Sequence, residues 1–112
     1  MKTIVAGSRT FNNYKLLKST LDEITEITEI VSGTAKGADT LGEKYAKESN
    51  IPLVLFPADW NKYRNSAGYI RNEEMAKYAD ACIVFWDGKS KGTKHMIDLA
   101  LKYQLDLKII NF

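Results

Sequence analysis

Short apolar runs alternate with stretches of helical periodicity along the whole chain. Five runs rich in apolar and β-branched residues predict strands, at residues 3–6, 29–32, 53–56, 81–86 and 107–110. Apolar residues at helical spacing predict helices over residues 14–24, 37–49, 66–79 and 93–104, with Ser66 as the N-cap of the third. Residues 58–65 are predicted to form a polar and aromatic loop. The apolar face predicted for the last helix comprises Met96, Ile97, Ala100, Leu101 and Gln104.

This alternation predicts one α/β domain spanning residues 1–112. Neighbouring parallel strands need crossover connections, and a helix between successive strands supplies them. Because such crossovers are right-handed, the natural closure is a single Rossmann-like three-layer α/β/α sandwich with a mostly parallel sheet of about five strands. The run at 81–86 is the most apolar, so we expect it to be buried on both faces.

Composition narrows the kinds of site that the chain can carry. The net charge of +2 is too small to indicate nucleic-acid binding from bulk electrostatics, although it is compatible with a local basic patch. The one cysteine, Cys82, lies inside the apolar run at 81–86 and is interpreted as a buried thiol. His95 is the only histidine, so we predict no metal site, and no cofactor is expected.

The first residues lead directly into a predicted strand. They lack the apolar region and cleavage site of a signal peptide. No apolar run approaches the ~20 residues that a membrane-spanning helix needs. We therefore expect a cytoplasmic protein with no membrane partner.

Three predicted strands end in loops rich in glycine and small hydroxyl residues, at residues 7–10, 32–39 and 87–93. In open α/β sheets ligands bind beyond the carboxyl ends of the strands, and such loops, followed by helix N-termini, suit a phosphate group. Taken singly, each loop is more typical of a plain strand-to-helix turn, and it is the presence of three at corresponding strand ends that favours a ligand site. None has Walker A or Gly-x-Gly-x-x-Gly spacing, which argues against P-loop ATPases and NAD dehydrogenases. The predicted phosphate-binding residues of these loops are Gly7, Ser8, Arg9, Ser32, Gly33, Thr34, Gly37, Asp39, Gly88, Ser90, Gly92 and Thr93.

Arginine is scarce: lysines outnumber arginines thirteen to three. A guanidinium group is the preferred bidentate partner of phosphate. Arg9 lies in the first glycine loop, Arg64 in the long loop and Arg71 in the helix after it. Surface salt bridges are the alternative interpretation of all three.

Other polar and aromatic residues near these loops have two interpretations each. Asp39 either complements the dipole of its helix or hydrogen-bonds a ribose hydroxyl or a neighbouring loop. Trp60 and Tyr63 either stack on a base or cover the edge of the sheet. Asn72 either caps or orients a loop. In the ligand-binding interpretation it closes over the ligand together with Arg71. Trp86 is a candidate for base stacking from the pocket floor.

Taken in order, the motifs at residues 7–9, 32–39, 57–60, 67–75 and 86–93 resemble those of the SLOG superfamily, in particular its small YspA/YpsA-type members from bacteria and their phages. The resemblance covers nearly the whole chain. It implies a Rossmann-like fold and an association with nucleotides and nucleic acids, and it is consistent with a homodimer. The loop at 32–39 is similar to the Ser-Gly-Gly-Ala-x-Gly-x-Asp loop of the DNA-processing protein DprA/Smf.

The later motifs resemble those of the LOG phosphoribohydrolases, which remove a base from a nucleoside monophosphate. Arg71, ahead of Met75, matches the arginine of those enzymes, and Gly92-Thr93 matches their phosphate loop. Lys94-His95-Met96 stands where they carry glutamates, so the carboxylate that would stabilise oxocarbenium character is missing from that position. If the chain is an enzyme, the candidate catalytic residues are Arg71, Glu74 and His95, with Asp39 as a further candidate.

The leading hypothesis is therefore a protein that binds a nucleotide or a nucleotide derivative at the carboxyl ends of the strands, to sense or sequester it. Its expected partner is a small-molecule nucleotide. An N-glycoside hydrolase acting on a nucleotide is the first alternative. A DprA-like binder of single-stranded nucleic acid is the second, and the near-neutral charge disfavours it.

Overall fold

The computed structural model describes residues 1–112, which form five strands, five helices and one 3₁₀ turn. The strands are β1 (Lys2–Gly7), β2 (Glu29–Ser32), β3 (Leu53–Leu55), β4 (Ala81–Trp86) and β5 (Asp106–Asn111). The helices are α1 (Tyr14–Asp22), α2 (Ala38–Glu48), α3 (Trp60–Tyr63), α4 (Ala67–Tyr78) and α5 (Lys91–Lys102). The 3₁₀ turn, Arg64–Ser66, joins α3 to α4. No helix is both long and apolar enough to cross a membrane.

The five strands form one parallel sheet in the order β3-β2-β1-β4-β5. β1 lies at its centre, where Ile4 is opposite Val31 on one side and Cys82 on the other. The chain first builds the sheet outward from β1 to β3 and then returns to the other side of β1 with β4. The carboxyl ends of β1 and β4 therefore flank the switch point at which α/β sheets bind ligands.

Two apolar cores cover the two faces of the sheet and confirm the three-layer α/β architecture. Helices α1 and α2 cover one face through residues such as Leu17, Leu21 and Ala46. Helices α4 and α5 cover the other face through residues such as Met75 and Met96. β4 is buried on both faces, as its uninterrupted apolar sequence predicts.

Cys82 is fully buried in the second of these cores, and burial raises the pKa of its thiol to about 12. The thiol therefore stays protonated at neutral pH and behaves as a small apolar side chain. This is the arrangement that the apolar run around it predicts.

The structure differs from the predicted elements mainly in residues 58–65, which were expected to form a loop and instead contain α3 and the 3₁₀ turn. Asp59 caps α3, because its carboxylate accepts a hydrogen bond from the Lys62 N–H at 3.0 Å. Ser66 occupies the N-cap position of α4 as predicted, but its side chain makes no capping hydrogen bond. The backbone of Ser66 is already helical, with φ −88° and ψ −7°, whereas a residue whose side chain caps a helix typically has an extended backbone.

The buried face predicted for the last helix was also wrong in part. Leu101 is 63 % exposed and Gln104 is exposed, whereas Leu99 is buried. Helix α5 contacts α4 as well as the sheet, so its apolar face is turned toward Met96, Leu99 and Ala100. Periodicity identified the helix but did not fix its rotation about its own axis.

Candidate functional site

A cleft lies beyond the carboxyl ends of β1, β2 and β4. It consists of three adjoining cavities of about 100, 250 and 400 Å³. Arg9 and Arg71 line all three, so the two guanidinium groups mark the middle of the cleft. We use the name "arginine cleft" for these three cavities together.

The loop after β1 is tied closely to its neighbours. The Ser8 N–H donates to the Phe85 carbonyl at 2.9 Å, and the Ser8 hydroxyl accepts from the Asp87 N–H at 3.1 Å. Gly37 has a φ of 79°, and a Cβ atom there would lie 2.3 Å from the Ser8 carbonyl oxygen. Gly7 is equally confined, since a Cβ atom would meet the Phe85 carbonyl oxygen at 2.2 Å. These glycines and the buried Ser8 side chain thus hold the loops together, which is a structural role.

Ser32 has a similar role in the second loop. Its hydroxyl is fully buried, donates to Glu43 Oε2 at 2.7 Å and accepts from the Thr34 N–H at 3.1 Å. Thr34 has a φ of 64°, a left-handed conformation that this hydrogen bond supports. Because the hydroxyl of Ser32 is already used, it shapes the loop, and Thr34 and Ala35 present the loop to the cleft.

Arg71 reaches from α4 to the second loop. Its Nη1 donates to the carbonyl of Gly33, and its Nε donates to Asn72 Oδ1 at 3.0 Å. A Cβ atom on Gly33 would lie 2.9 Å from Arg71 Cδ, so the glycine is what allows this approach. Burial lowers the pKa of Arg71, which the Asp39 carboxyl opposes. The side chain is therefore held in place with part of its donor fork still directed at the cleft.

Asp39 lines the smallest of the three cavities and is only 4 % exposed. Its Oδ2 accepts a hydrogen bond from the Ala35 N–H at 3.2 Å. Burial raises the pKa of Asp39 to about 6, against the opposing effects of that bond and of Arg71. Perturbed carboxyl groups in clefts are common at functional sites, so Asp39 is the most notable titratable group of the cleft.

Asn72 connects α4 to α5. Its Nδ2 donates to the Gly92 carbonyl at 3.4 Å and lies 3.3 Å from His95 Nδ1. Burial lowers the pKa of His95, so at neutral pH the ring is neutral and Nδ1 accepts from the amide. Asn72 therefore links the positions of Arg71 and His95, and its own side chain is buried.

Hydrogen bonds within the third loop cap the N-terminus of α5. The Ser90 hydroxyl accepts from the Thr93 N–H at 3.4 Å and from the Thr93 hydroxyl at 3.0 Å. The Asp87 carboxylate accepts from the N–H groups of Lys89 and Ser90, both at 2.8 Å, and these bonds lower its pKa. Ser90, Gly92 and Thr93 line the smallest cavity, so the first turn of α5 faces the cleft.

The two tryptophans lie in different places. Trp60 is 54 % exposed and lines two of the three cavities beside Arg9 and Arg71. Trp86 lines none of them; its indole N–H donates to the Ser90 carbonyl at 3.1 Å, and its ring faces a separate groove. Of the two tryptophans, only Trp60 therefore lies beside the arginines, where its ring is available for stacking.

The structure brings most, but not all, of the predicted site residues to the cleft. Residues of that set which line one of its cavities are Gly7, Arg9, Gly33, Thr34, Asp39, Trp60, Arg71, Asn72, Ser90, Gly92 and Thr93. Glu74 is exposed and lines no cavity, and Gly88, with a φ of 81°, makes a tight turn outside the cleft. His95 touches the cleft only through Asn72.

Sequence reasoning missed several lining residues, among them Lys36 in the second glycine loop and, outside the glycine loops, two polar residues, Asn65 and Tyr69. Both belong to the segment whose conformation was predicted incorrectly or to the helix that follows it. Tyr69 lies three positions before Asn72, the spacing at which residues share one face of a helix, and that signal could have found it. Asn65 lies in the 3₁₀ turn and had no comparable signal.

None of the three arginines forms a salt bridge; all four ion pairs of the chain use lysine. The surface salt bridges considered for Arg9, Arg64 and Arg71 are therefore absent. For Arg9 and Arg71, which meet in the cleft, this leaves two cationic forks without a carboxylate within 4.0 Å. Such a pair suits a bidentate anion.

Comparison with known proteins places the chain in a family. The family model described as "YspA, cpYpsA-related SLOG family" (YAcAr) matches residues 1–63. The Gene 61 protein of Mycobacterium phage D29 is 31% identical over 99% of this chain and 95% of its own length.

A solved structure shares the fold. The X-ray structure of DNA processing protein A (DprA) from Streptococcus pneumoniae superposes with a TM-score of 0.81 and 19% identity, over 99% of this chain. The chain spans 50% of the length of that DprA chain. The family match, the phage relative and the matching fold agree, and the chain belongs to the YspA, cpYpsA-related SLOG family.

Proposed function

We propose that the chain binds a nucleotide or nucleotide derivative in the arginine cleft, with the phosphate between Arg9 and Arg71. The family and the DprA-like fold support a role connected with nucleotides or nucleic acids in general. The single observation that carries the proposal is the meeting of Arg9 and Arg71 at the switch point, with neither paired to a carboxylate. The cost of an unpaired charge falls on Arg71, whose guanidinium is partly buried with no carboxylate within 4.0 Å, whereas Arg9 is exposed.

The surroundings of the two arginines fit the remaining parts of a nucleotide. The N-terminal turn of α5 directs Thr93 and the backbone of Gly92 toward the same space, which favours an anion there. Trp60 borders the outer part of the cleft and offers an exposed ring for stacking a base. In this arrangement the phosphate lies deep, and the base lies toward solvent.

The first experiment is a thermal-shift screen against nucleoside mono- and diphosphates, cyclic nucleotides and ADP-ribose. A ligand present at a hundred times its Kd stabilises the folded state by about 2.7 kcal/mol, which is readily measured. The tightest ligand of the panel is then titrated calorimetrically into the Arg71→Gln variant. We expect its affinity to fall by roughly 10- to 100-fold, because a hydrogen bond to a charged group is worth about 1.5–3 kcal/mol.

The matched control is Arg64→Gln. Arg64 is exposed, lies in the 3₁₀ turn a few residues before Arg71 and lines none of the cavities of the cleft. Its replacement removes the same charge and should leave the affinity within twofold. Equal losses in the two variants would show that only net charge matters, and the proposal would then be wrong. Circular dichroism checks that both variants are folded.

Hydrolysis of the bound nucleotide is the second candidate function, and Asp39 is the observation that favours it. Its carboxyl group lines the same cavity as Arg71, and with a pKa raised to about 6 it is able to donate a proton near neutral pH. The activity would release free base from a nucleoside monophosphate, which chromatography detects directly. Base release that is lost in Asp39→Asn supports hydrolysis; no release over hours with a bound ligand leaves binding as the function.

A further inference from the structure

A second basic surface lies next to the arginine cleft, on the outer side of the first turn of α5. It is an open groove of about 390 Å³ lined by Lys89, Lys91, Lys94, Trp86, Tyr69 and His95. We use the name "lysine groove" for it. No residue of the proposed phosphate site lies in it, and the proposed function gives it no role.

The lysine groove carries an excess of positive charge. Lys94 is paired with Asp98, which also lines the groove, at 2.6 Å. Lys89 and Lys91 have no carboxylate within 4.0 Å. Two uncompensated ammonium groups therefore remain on one groove of a chain whose net charge is only +2. This local concentration favours an anionic ligand.

Aromatic rings accompany these charges. Tyr69 is 46 % exposed and is held against the His95 ring in an edge-to-face contact with ring centroids 4.6 Å apart. Trp86 is fixed by the hydrogen bond of its indole N–H to the Ser90 carbonyl. Lysines interleaved with supported, partly exposed rings are the arrangement that binds nucleic-acid strands through phosphates and stacked bases.

The groove and the cleft are continuous. Tyr69 lines both. Gly92 lines the cleft and its neighbour Lys91 lines the groove, and consecutive Cα atoms are only about 3.8 Å apart. A ligand held by its phosphate at the N-terminus of α5 therefore has the lysines within the reach of one further nucleotide.

We propose that the lysine groove is a second subsite, which binds the next phosphate and base of a short linear oligonucleotide whose first nucleotide occupies the arginine cleft. Lys89 and Lys91 hold the second phosphate, and Tyr69 supports the second base. The preferred ligand is then a dinucleotide or another short oligonucleotide and not a mononucleotide. This proposal rests on the proposed function, because it uses the arginine cleft as the first subsite.

The test compares AMP, ADP and the dinucleotide pApA by calorimetry at low salt, with the full chain. We expect pApA to bind at least tenfold more tightly than AMP, and ADP to gain less than threefold. In the double variant Lys89→Gln/Lys91→Gln the advantage of pApA should fall below threefold, while the affinity for AMP stays within twofold. The matched control is Lys15→Gln/Lys47→Gln, which removes two exposed and unpaired lysines of α1 and α2 on the other face of the sheet.

The outcomes distinguish the two proposals. If AMP, ADP and pApA all fail to bind the wild type, the second subsite is overturned, and the proposed function is overturned as well if no nucleotide of the thermal-shift panel binds. If AMP binds but pApA gains nothing, or gains equally in the two double variants, only the second subsite is overturned. An equal gain for ADP overturns the assignment to a second nucleotide, because a bare second phosphate would then be sufficient. A preference that keeps rising steeply beyond a tetranucleotide indicates a strand binder and overturns the short-ligand assignment.

Discussion

At the amino end of the sheet, a groove of about 540 Å³ is larger than any of the three cavities that make up the arginine cleft at the carboxyl end. It lies where β1, β4 and β5 begin, beside the turn that follows α1. The acidic residues that line it are Glu23, Glu26 and Asp106, against Lys108 and the N-terminal residue. The two ends of one sheet therefore differ in both the size and the chemistry of their cavities.

The difference has a physical origin in the direction of the strands. Because all five strands are parallel, the N-termini of the helices that follow them cluster at the carboxyl end, and partial positive charge collects there. The arginine cleft adds two arginines and three interlocked glycine loops to that field. The amino-end groove has neither, so exceeding each single cavity of the arginine cleft in volume does not make it the better candidate for an anionic ligand.

The interlocked loops are the feature of this comparison that a single substitution should disturb most. Gly37→Ala places a Cβ atom 2.3 Å from the Ser8 carbonyl oxygen, in a residue with a φ of 79°. The left-handed backbone costs about 1–2 kcal/mol and the overlap about 1–3 kcal/mol, so we expect a loss of roughly 2–5 kcal/mol in the free energy of unfolding. Denaturant titration measures it.

Gly92→Ala is the control for Gly37→Ala. A Cβ atom there meets no atom within 4 Å and the backbone is not left-handed, so we expect a change of about 0.5 kcal/mol in the stabilising direction. Equal stabilities of the two variants would mean that the loops at the carboxyl end are not interlocked as the structure shows.

Protonation of Asp39 gives the next largest effect. Its pKa is raised from 3.8 to about 6 by burial, so between these pH values the folded chain keeps a proton that the unfolded chain has released. The unfolded state then binds fewer protons, and the contribution of Asp39 to the free energy of unfolding falls as pH rises from about 4 to 6. At about 1.4 kcal/mol per pKa unit, the loss is of the order of 2–3 kcal/mol.

Asp22 and Asp87 have lowered pKa values and act in the opposite direction, so the wild-type profile alone mixes these contributions. The difference between the wild type and Asp39→Asn isolates the carboxyl group of interest. We expect the variant to gain stability relative to the wild type as pH rises from 4 to 7, by denaturant titration at each pH. Parallel profiles would show that Asp39 is not perturbed.

Stacking on Trp60 should have a smaller effect, confined to ligand binding. A base stacked on an aromatic ring is worth about 1–3 kcal/mol, so Trp60→Ala should weaken the binding of a nucleoside monophosphate about tenfold or more. Ribose 5-phosphate lacks the base, and its affinity should change less than twofold. The ring is 54 % exposed, which keeps the cost to folding small. Equal losses for both ligands would mean that Trp60 shapes the cleft and does not stack.

These expectations depend on features that the sequence revealed to different degrees. The strands at Glu29–Ser32 and Ala81–Trp86 match their predicted bounds, because each is a short apolar run that stops at a glycine-rich loop. Arg9 and Arg71 were found because arginine is scarce in this chain and both lie next to glycine-rich or polar segments. Their meeting in one cleft follows from the parallel topology.

The rest of the cleft depends on long-range geometry. Glu74 was a candidate because its carboxylate could replace, from a facing helix, the glutamates missing at Lys94-His95-Met96, yet α4 is rotated so that Met75 enters the core and Glu74 faces solvent. Tyr69 and Asn65 reach the cleft because α3 and the 3₁₀ turn bend the chain over it. A four-residue helix has too little periodicity to be recognised from sequence, so this bend could not be predicted.

The smallest effect is expected from substitutions in the amino-end groove. They test whether the amino end of the sheet, and not the carboxyl end, binds the ligand. Glu23 is 75 % exposed and its carboxylate lies 4.0 Å from the Lys108 ammonium, a surface pair worth at most about 1 kcal/mol. Glu23→Gln/Asp106→Asn should therefore change the free energy of unfolding by about 0.5 kcal/mol or less and the affinity for a nucleoside monophosphate by less than twofold. The variant removes two negative charges, and Lys89→Gln/Lys91→Gln removes two positive charges. A general effect of net charge on nucleotide affinity would therefore appear in both variants, with opposite signs. A tenfold change in nucleotide affinity here, with Arg71→Gln unaffected, would move the ligand to the amino end of the sheet and reverse the comparison.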